Sequence, residues 1–269
     1  LTKSLLTDKI EKTRRKAVKH MPVMDEFREE REALKNGTRK EKFEYFWTYY
    51  KWYVIGGIAA VVFIVSFIYE IINNKDYAFY GVFLNSYALE GEEAYMQGFA
   101  DRLDYDETKY TVGIDSSLYI SHESYDETTT SSTQKLMVYI AANEIDLIVG
   151  DATTFNQYAY NETFADLRDI LSEEQMEKYS DYFYYIDQAT ADEKEAAQDD
   201  MNYEYVPDYP DSTKPEEMET PIPVGVYIDS NESLWEAYSF SEESVVMGIV
   251  INTLRPEAAV EFLEYVFGY

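Results

Sequence analysis

Apolar positions follow three different patterns along this chain. From Trp52 to Tyr69 they run almost unbroken: Trp-Tyr-Val-Ile-Gly-Gly-Ile-Ala-Ala-Val-Val-Phe-Ile-Val-Ser-Phe-Ile-Tyr is 18 residues without a charge, and Ile71 and Ile72 follow a single Glu70. At about 1.5 Å per residue, a helix of that length spans roughly 27 Å, close to the hydrocarbon thickness of a bilayer. A helix also satisfies its own backbone in lipid. The pattern predicts one spanning helix over 52–72. Beyond residue 76 apolar residues come in short runs separated by stretches of helical spacing. Before residue 51 they are scattered among charges.

The flanks give the span a direction. Arg39, Lys40, Lys42 and Lys51 precede it closely, whereas Lys75 is the one basic residue just after it. Lys and Arg favour the cytoplasmic side, so the N-terminus is expected inside the cell and residues 76–269 outside, in a single-pass cell-membrane protein. Phe43, Tyr45, Phe46, Trp47, Tyr49, Tyr50, Trp52 and Tyr53 suit the inner headgroup layer, where amphipathic rings concentrate. Tyr69-Glu-Ile-Ile-Asn-Asn-Lys-Asp76 holds no small-residue cleavage pattern, so the segment is expected to remain attached. Gly56 and Ala60 have the small-xxx-small spacing of dimerising helices, but glycine is common in membrane helices generally.

Residues 1–51 read as a basic tail with a juxtamembrane helix. Lys9, Lys12, Arg14, Arg15, Lys16 and Lys19 cluster there. Such a cluster suits anionic lipid or RNA, but a solvated helix that sets topology is the simpler reading. Arg28 and Glu32 form an i,i+4 pair in a second short helix, which Asn36-Gly37 stops.

After Asp76 the pattern alternates. Strands are predicted at 80–85, 110–115, 146–150, 223–228 and 245–252. Helices are predicted at 92–103, at 135–142 behind a Ser131/Gln134 capping box, after Ser172 with Gln175, and at 257–267 behind Pro256. Residues 116–130 read as loop. Residues 188–221, acidic and proline-containing, read as an exposed insertion. Strands separated by helices imply an α/β domain with a mostly parallel sheet covered on both faces.

Charge sharpens the division. Residues 1–51 carry 14 Lys and Arg against 9 Asp and Glu, and the rest of the chain carries 9 against 43. So acidic a domain excludes nucleic acid as a partner. The absence of cysteine excludes disulfides, thiolate metal sites and a thiol nucleophile. Of 27 tyrosines, 22 follow Tyr69; some must be core, because Leu and Ile are scarce. His20 and His122 fall on opposite sides of the expected span. Asp199, Asp200, Asp208 and Asp211 lack the spacing of a calcium loop, so no metal or cofactor is expected. Ser132-Thr-Gln-Lys135 matches the S-x-x-K of penicillin-recognising enzymes, but the S-D-N and K-T-G elements are missing, and no enzyme activity is expected.

The stretch Ile140-Ala-Ala-Asn-Glu-Ile-Asp-Leu-Ile-Val-Gly-Asp151, followed by Phe164-Ala-Asp-Leu-Arg-Asp-Ile-Leu171, resembles the extracellular solute-binding proteins of ABC importers. Met247-Gly-Ile-Val-Ile-Asn252 with Arg255-Pro-Glu-Ala-Ala-Val-Glu-Phe-Leu-Glu-Tyr265 is similar to their late strand and helix. Phe46-Trp-Thr-Tyr-Tyr-Lys-Trp52 resembles the anchors of uncharacterised Gram-positive membrane proteins with such domains. The domain is short for that family and lacks its lipoprotein cysteine. The resemblance implies a reduced periplasmic-binding-protein-like fold.

In a doubly wound sheet, ligands sit at the carboxyl ends of strands. That nominates Asn85, Ser86, Asp151, Thr153, Asn252 and Thr253 as ligand-binding residues, although each also suits a turn or a helix cap. The expected function is a membrane-tethered binding or sensing module for a small solute or peptide, beside a transporter. The alternative is an assembly protein that binds other membrane proteins without a small ligand. Lipid around Trp52–Ile72 is the other expected partner.

Overall fold

The computed structural model describes residues 38–73, 75–121, 126–199, 205, 207–228 and 232–268. The expected tail helices, both histidines and Asp200 lie outside these residues. The chain forms two compact units, residues 1–74 and 75–269.

The described part of the first unit is one helix, α1 (Arg39–Asn73). The aromatic and apolar segments share it without a break. Aromatic residues one turn apart stack along it, Phe43 on Trp47 and Phe46 on Tyr50 with centroids 6.1 and 5.6 Å apart. Its stretch Tyr50–Glu70 has a mean hydropathy of 2.2. It is long and apolar enough to cross a membrane.

The second unit is α/β. Its strands are β1 (Asp76–Phe83), β2 (Ser86–Ala88), β3 (Tyr110–Asp115), β4 (Leu147–Asp151), β5 (Phe183–Asp187), β6 (Pro221–Tyr227), β7 (Tyr238–Phe240) and β8 (Val245–Ile249). The helices are α2 (Glu92–Ala100), α3 (Glu127–Ala141), α4 (Ala152–Ala159), α5 (Leu167–Ile170), α6 (Glu173–Lys178), α7 (Gln188–Asp199), α8 (Glu232–Ala237) and α9 (Pro256–Val266). Six strands form one sheet in the order β3-β1-β4-β8-β6-β5, and β2 pairs with β7.

The main sheet is mixed, not mostly parallel as expected. β1 lies parallel to β3 and β4, but β8, β6 and β5 continue the sheet antiparallel. A parallel connection needs a crossover that covers the sheet, usually a long helix. α2 and α3 supply such crossovers. Between β6 and β8 the described residues form the short α8 and β7, and the return strand runs antiparallel.

Alternation along the strands builds two cores. Phe79, Phe83, Leu147, Val149, Met247 and Ile249 face α2 and α9, meeting Phe99, Phe262 and Leu263. Tyr80, Val82, Leu84, Ile148 and Val246 face the other way, toward Leu136 of α3 and Phe155 and Tyr158 of α4. Helices thus cover both faces. Tyrosine fills core volume too: Tyr179 and Tyr238 are almost wholly buried. Burial pushes the hydroxyls of Tyr95, Tyr184 and Tyr238 well above the usual tyrosine range, so these groups stay neutral.

Local signals explain most helix ends. Ser172 and Gln175 form the expected capping box at α6. α3 starts eight residues before its expected start, because Asp126 caps it by accepting from the Thr129 amide. Ser131 lies inside the helix and donates to the Thr128 carbonyl, so it caps nothing. The acidic stretch 188–221 is not all loop. Gln188–Asp199 is helix, rich in Ala, Glu and Gln. Buried Asp187 ties both ends of the excursion together, accepting from the amides of Ala189, Glu219 and Thr220.

Candidate functional site

The six nominated residues fall into two groups at opposite ends of the sheet. β4 and β8 run antiparallel, with Asp151 opposite Val245 and Leu147 opposite Ile249. Asn85 and Asp151 therefore sit at one end, and Asn252 and Thr253, which follow β8, sit at the other. They do not share one end of the sheet.

The first group is a closed hydrogen-bond cluster. Asn85 takes a left-handed backbone conformation, φ 53°, which Asn tolerates better than most residues. Its Nδ2 donates to Asp151 Oδ2 at 2.8 Å, to Thr154 Oγ1 at 3.0 Å and to the Ile120 carbonyl at 3.0 Å. Its Oδ1 accepts from the Ile120 amide at 2.7 Å. Asp151 caps α4 by accepting from the Thr154 amide at 2.7 Å. These side chains are buried, and they bind the segment after β3 to the start of α4. Ser86 donates to the Phe83 carbonyl, and Thr153 is exposed on the first turn of α4.

The second group surrounds Asp146, which is fully buried at the start of β4. Its carboxylate accepts from the Tyr80 amide at 2.8 Å, from Thr253 Oγ1 at 2.5 Å and from Arg255 Nε at 2.9 Å. Arg255 Nη2 also donates to the Glu144 carbonyl. The Asn252 Nδ2 donates to the Ile140 carbonyl at 2.7 Å, while its buried Oδ1 has no hydrogen-bond partner among the described residues.

Beside Asn252 opens a pocket of about 490 Å³. Four separate segments build it. Met137 and Ile140 come from α3; Tyr158, Tyr160, Asn161, Glu162 and Thr163 from the end of α4 and its exit; Ala191, Lys194 and Glu195 from α7; and Ile251 from the segment after β8. Tyr158, Tyr160, Thr163 and Ala191 are buried at its base. Met137 and Ile251 are exposed at its mouth, each by more than half. The α4 exit is a Schellman turn, in which the Thr163 amide reaches the Tyr158 carbonyl and Glu162 stands at φ 54°. Glycine or Asn usually fills that position. For a glutamate the conformation costs on the order of 1 kcal/mol.

Lys194 is the pocket's cation. Its Nζ donates to Asn161 Oδ1 at 2.7 Å and to the Tyr160 carbonyl at 3.4 Å, both neutral oxygens. Burial lowers its pKa from the usual lysine value. Glu162 accepts from Gln188 Nε2. Burial raises the pKa values of Tyr158 and Tyr160. The arrangement offers an apolar wall, one ammonium and two rim carboxylates.

None of the nominated residues lines this pocket; Asn252 follows Ile251 and donates to the carbonyl of Ile140, both of which do. Sequence reasoning missed Lys194 because it lay in a stretch read as solvated insertion. The available signal was a lone lysine on a predictable Ala-rich helix. Lys135 of the S-x-x-K match is engaged elsewhere: it pairs with Asp115 at 2.7 Å, and Ser132 accepts from the Tyr119 amide. Among the described residues no three His, Asp or Glu side chains gather as a metal set. No protein-family model matches the chain, and comparison with curated proteins and with solved structures returns no match.

Proposed function

We propose that this chain is a membrane-tethered binding module, with α1 in the bilayer and its acidic domain outside the cell, taking up a small solute or peptide beside a transporter. The observation that carries this reading is the pocket beside Lys194. Its volume of about 490 Å³ lies in the range that encloses small ligands, roughly 300–1,000 Å³. It also has the usual make-up of such sites, an apolar wall with a few polar groups converging on it. The resemblance to solute-binding proteins agrees with a binding role, but the pocket lies on the flank of the sheet.

The binding reading is tested on the full chain in lipid nanodiscs by thermal shift against peptides, sugars, organic acids and metal ions. At least one class is expected to raise the melting temperature. If none does, the reading falls. The topology is tested separately, helped by the absence of native cysteine. Single cysteines at Ser4→Cys and Glu107→Cys are exposed to a membrane-impermeant maleimide on intact cells. Glu107→Cys is expected to label, and Ser4→Cys only after lysis. The opposite pattern would invert the orientation.

A second reading, assembly with another membrane protein, is favoured by the free edge of the main sheet. The β5 edge is covered, because the Tyr185 amide donates to the Ser212 carbonyl. β3 pairs only with β1 and leaves its outer edge open among the described residues. Open edges accept strands from partners.

A further inference from the structure

We infer that the Lys194 pocket takes a zwitterion with an apolar body: a carboxylate and an ammonium flanking a hydrophobic side chain, the chemistry of a hydrophobic amino acid or short apolar peptide. This inference rests on the binding role proposed above and specifies its ligand.

Three features of the pocket select that class. The first is the lysine. From residue 70 onward the chain holds nine basic side chains among 43 acidic ones. Arg102, Lys109, Lys135, Arg168, Lys214 and Arg255 all pair with carboxylates of the fold. Among the described residues Lys194 does not: its ammonium, in a domain crowded with carboxylates, is bound to two neutral oxygens. An ammonium has three donors, so one remains for an acceptor in the pocket. A carboxylate is the acceptor that gains most there, because the hydrogen bond is charge-assisted and the site is partly desolvated. The lowered pKa of Lys194 is the sign of that desolvation.

The second feature is the rim. Glu162 and Glu195 line the same pocket. They disfavour a simple anion and favour a ligand that also carries a positive group. Glu162 is held at its place by Gln188 and by a left-handed backbone that ordinarily belongs to glycine. Strained backbone of this kind persists where the surrounding structure enforces it and is common at ligand sites. The third feature is the wall. Met137 and Ile251 stand exposed at the mouth. Methionine adapts its shape to varied apolar partners, so the wall suits a hydrophobic side chain without demanding one shape.

The test uses the full chain in nanodiscs and isothermal calorimetry with four probes: leucine, the dipeptide Leu-Leu, N-acetyl-Leu-Leu and Leu-Leu amide. Leucine and Leu-Leu distinguish a free amino acid from a peptide. Leu-Leu amide removes the carboxylate and N-acetyl-Leu-Leu removes the ammonium. Leu-Leu is expected to bind, joined by leucine where the pocket also takes a free amino acid, and each blocked form is expected to bind about tenfold or more weakly than Leu-Leu, the loss of one charge-assisted contact. Lys194→Met is expected to remove the preference for Leu-Leu over its amide, with an unchanged melting temperature. Lys194→Arg is expected to keep it. The double variant Glu162→Gln/Glu195→Gln is expected to narrow the gap between Leu-Leu and N-acetyl-Leu-Leu.

Equal binding of Leu-Leu and its amide, or unaltered binding by Lys194→Met, would overturn the inference. Binding of sugars or metals alone would overturn it and leave the broader binding role standing. Silence from every probe class would overturn both.

Discussion

Replacing Asp146 by alanine is expected to lower the stability of the acidic domain by about 3 kcal/mol, the low end of what breaking one side of a buried ion pair costs. The low end applies because Arg255 keeps part of its guanidinium in water, with 23% of its side chain exposed. The carboxylate is fully buried and serves three donors at once: the Tyr80 amide, the Thr253 hydroxyl and Arg255 Nε. Alanine leaves all three without their acceptor. Buried donors left unsatisfied cost about 1–3 kcal/mol each when nothing replaces the lost partner. Urea titration of the full chain in nanodiscs, followed by the near-ultraviolet dichroism of the tyrosines, measures the loss. The double variant Asp146→Ala/Arg255→Met is expected to recover part of it, because it also removes the stranded cation. Should Asp146→Ala cost less than about 1 kcal/mol, the carboxylate does not hold this end of the sheet as described.

The same corner shows how far the sequence could be read. Apolar runs located β1, β4, β6 and β8, because strands buried on both faces must be continuously apolar; β3 is an edge strand and only half-buried. Pro256 located the start of α9, and its apolar stripe Ala259, Phe262, Leu263 and Val266 is fully buried. Strand direction was not legible. It depends on how the short segments between β6 and β8 fold back, and an apolar run carries no arrow. That one omission separated the nominated residues. With β8 antiparallel, Asn252 and Thr253 leave the end where Asn85 and Asp151 lie and join Asp146 instead. Placing Asn85 and Asp151 at strand ends was sound, but their side chains spend their hydrogen bonds on each other, on Thr154 and on Ile120. The pocket was illegible for another reason. Its walls come from positions near 140, 160, 194 and 251, and only the sheet order brings these together. Within it, the helical character of 188–199 could have been read from its composition, whereas the seating of Lys194 against Tyr160 and Asn161 could not.

Substituting Gly248 separates packing from chain entropy by the sign of the effect. Gly248 lies in the middle of β8, and Gly225 lies nearby in β6. Both sit under the ring of Phe155, which stacks on Phe164 with centroids 4.2 Å apart and meets Tyr184 edge-on at 5.0 Å. A Cβ on Gly248 would stand 2.6 Å from Phe164 Cδ1 and 2.7 Å from Phe155 Cζ. One on Gly225 would stand 2.7 Å from Phe155 Cζ and 2.9 Å from Val246 Cγ1. These are the faces of packed rings, with Tyr184 closing the far side, so they have little room to withdraw. Entropy alone predicts the reverse of a clash: alanine restricts the unfolded chain and stabilises by about 0.4–1 kcal/mol where the native backbone accepts it. Sheet propensity points the same way, since glycine is a poor strand residue. Overpacking of a close-packed core costs about 1–3 kcal/mol. Gly248→Ala is therefore expected to destabilise by about 2 kcal/mol, and Gly248→Val by more. Phe155→Leu in the Gly248→Ala background is expected to return part of the loss, although Phe155→Leu alone destabilises. A Gly248→Ala variant more stable than the parent in urea would mean that the rings yield, and that the two glycines are not there to seat them.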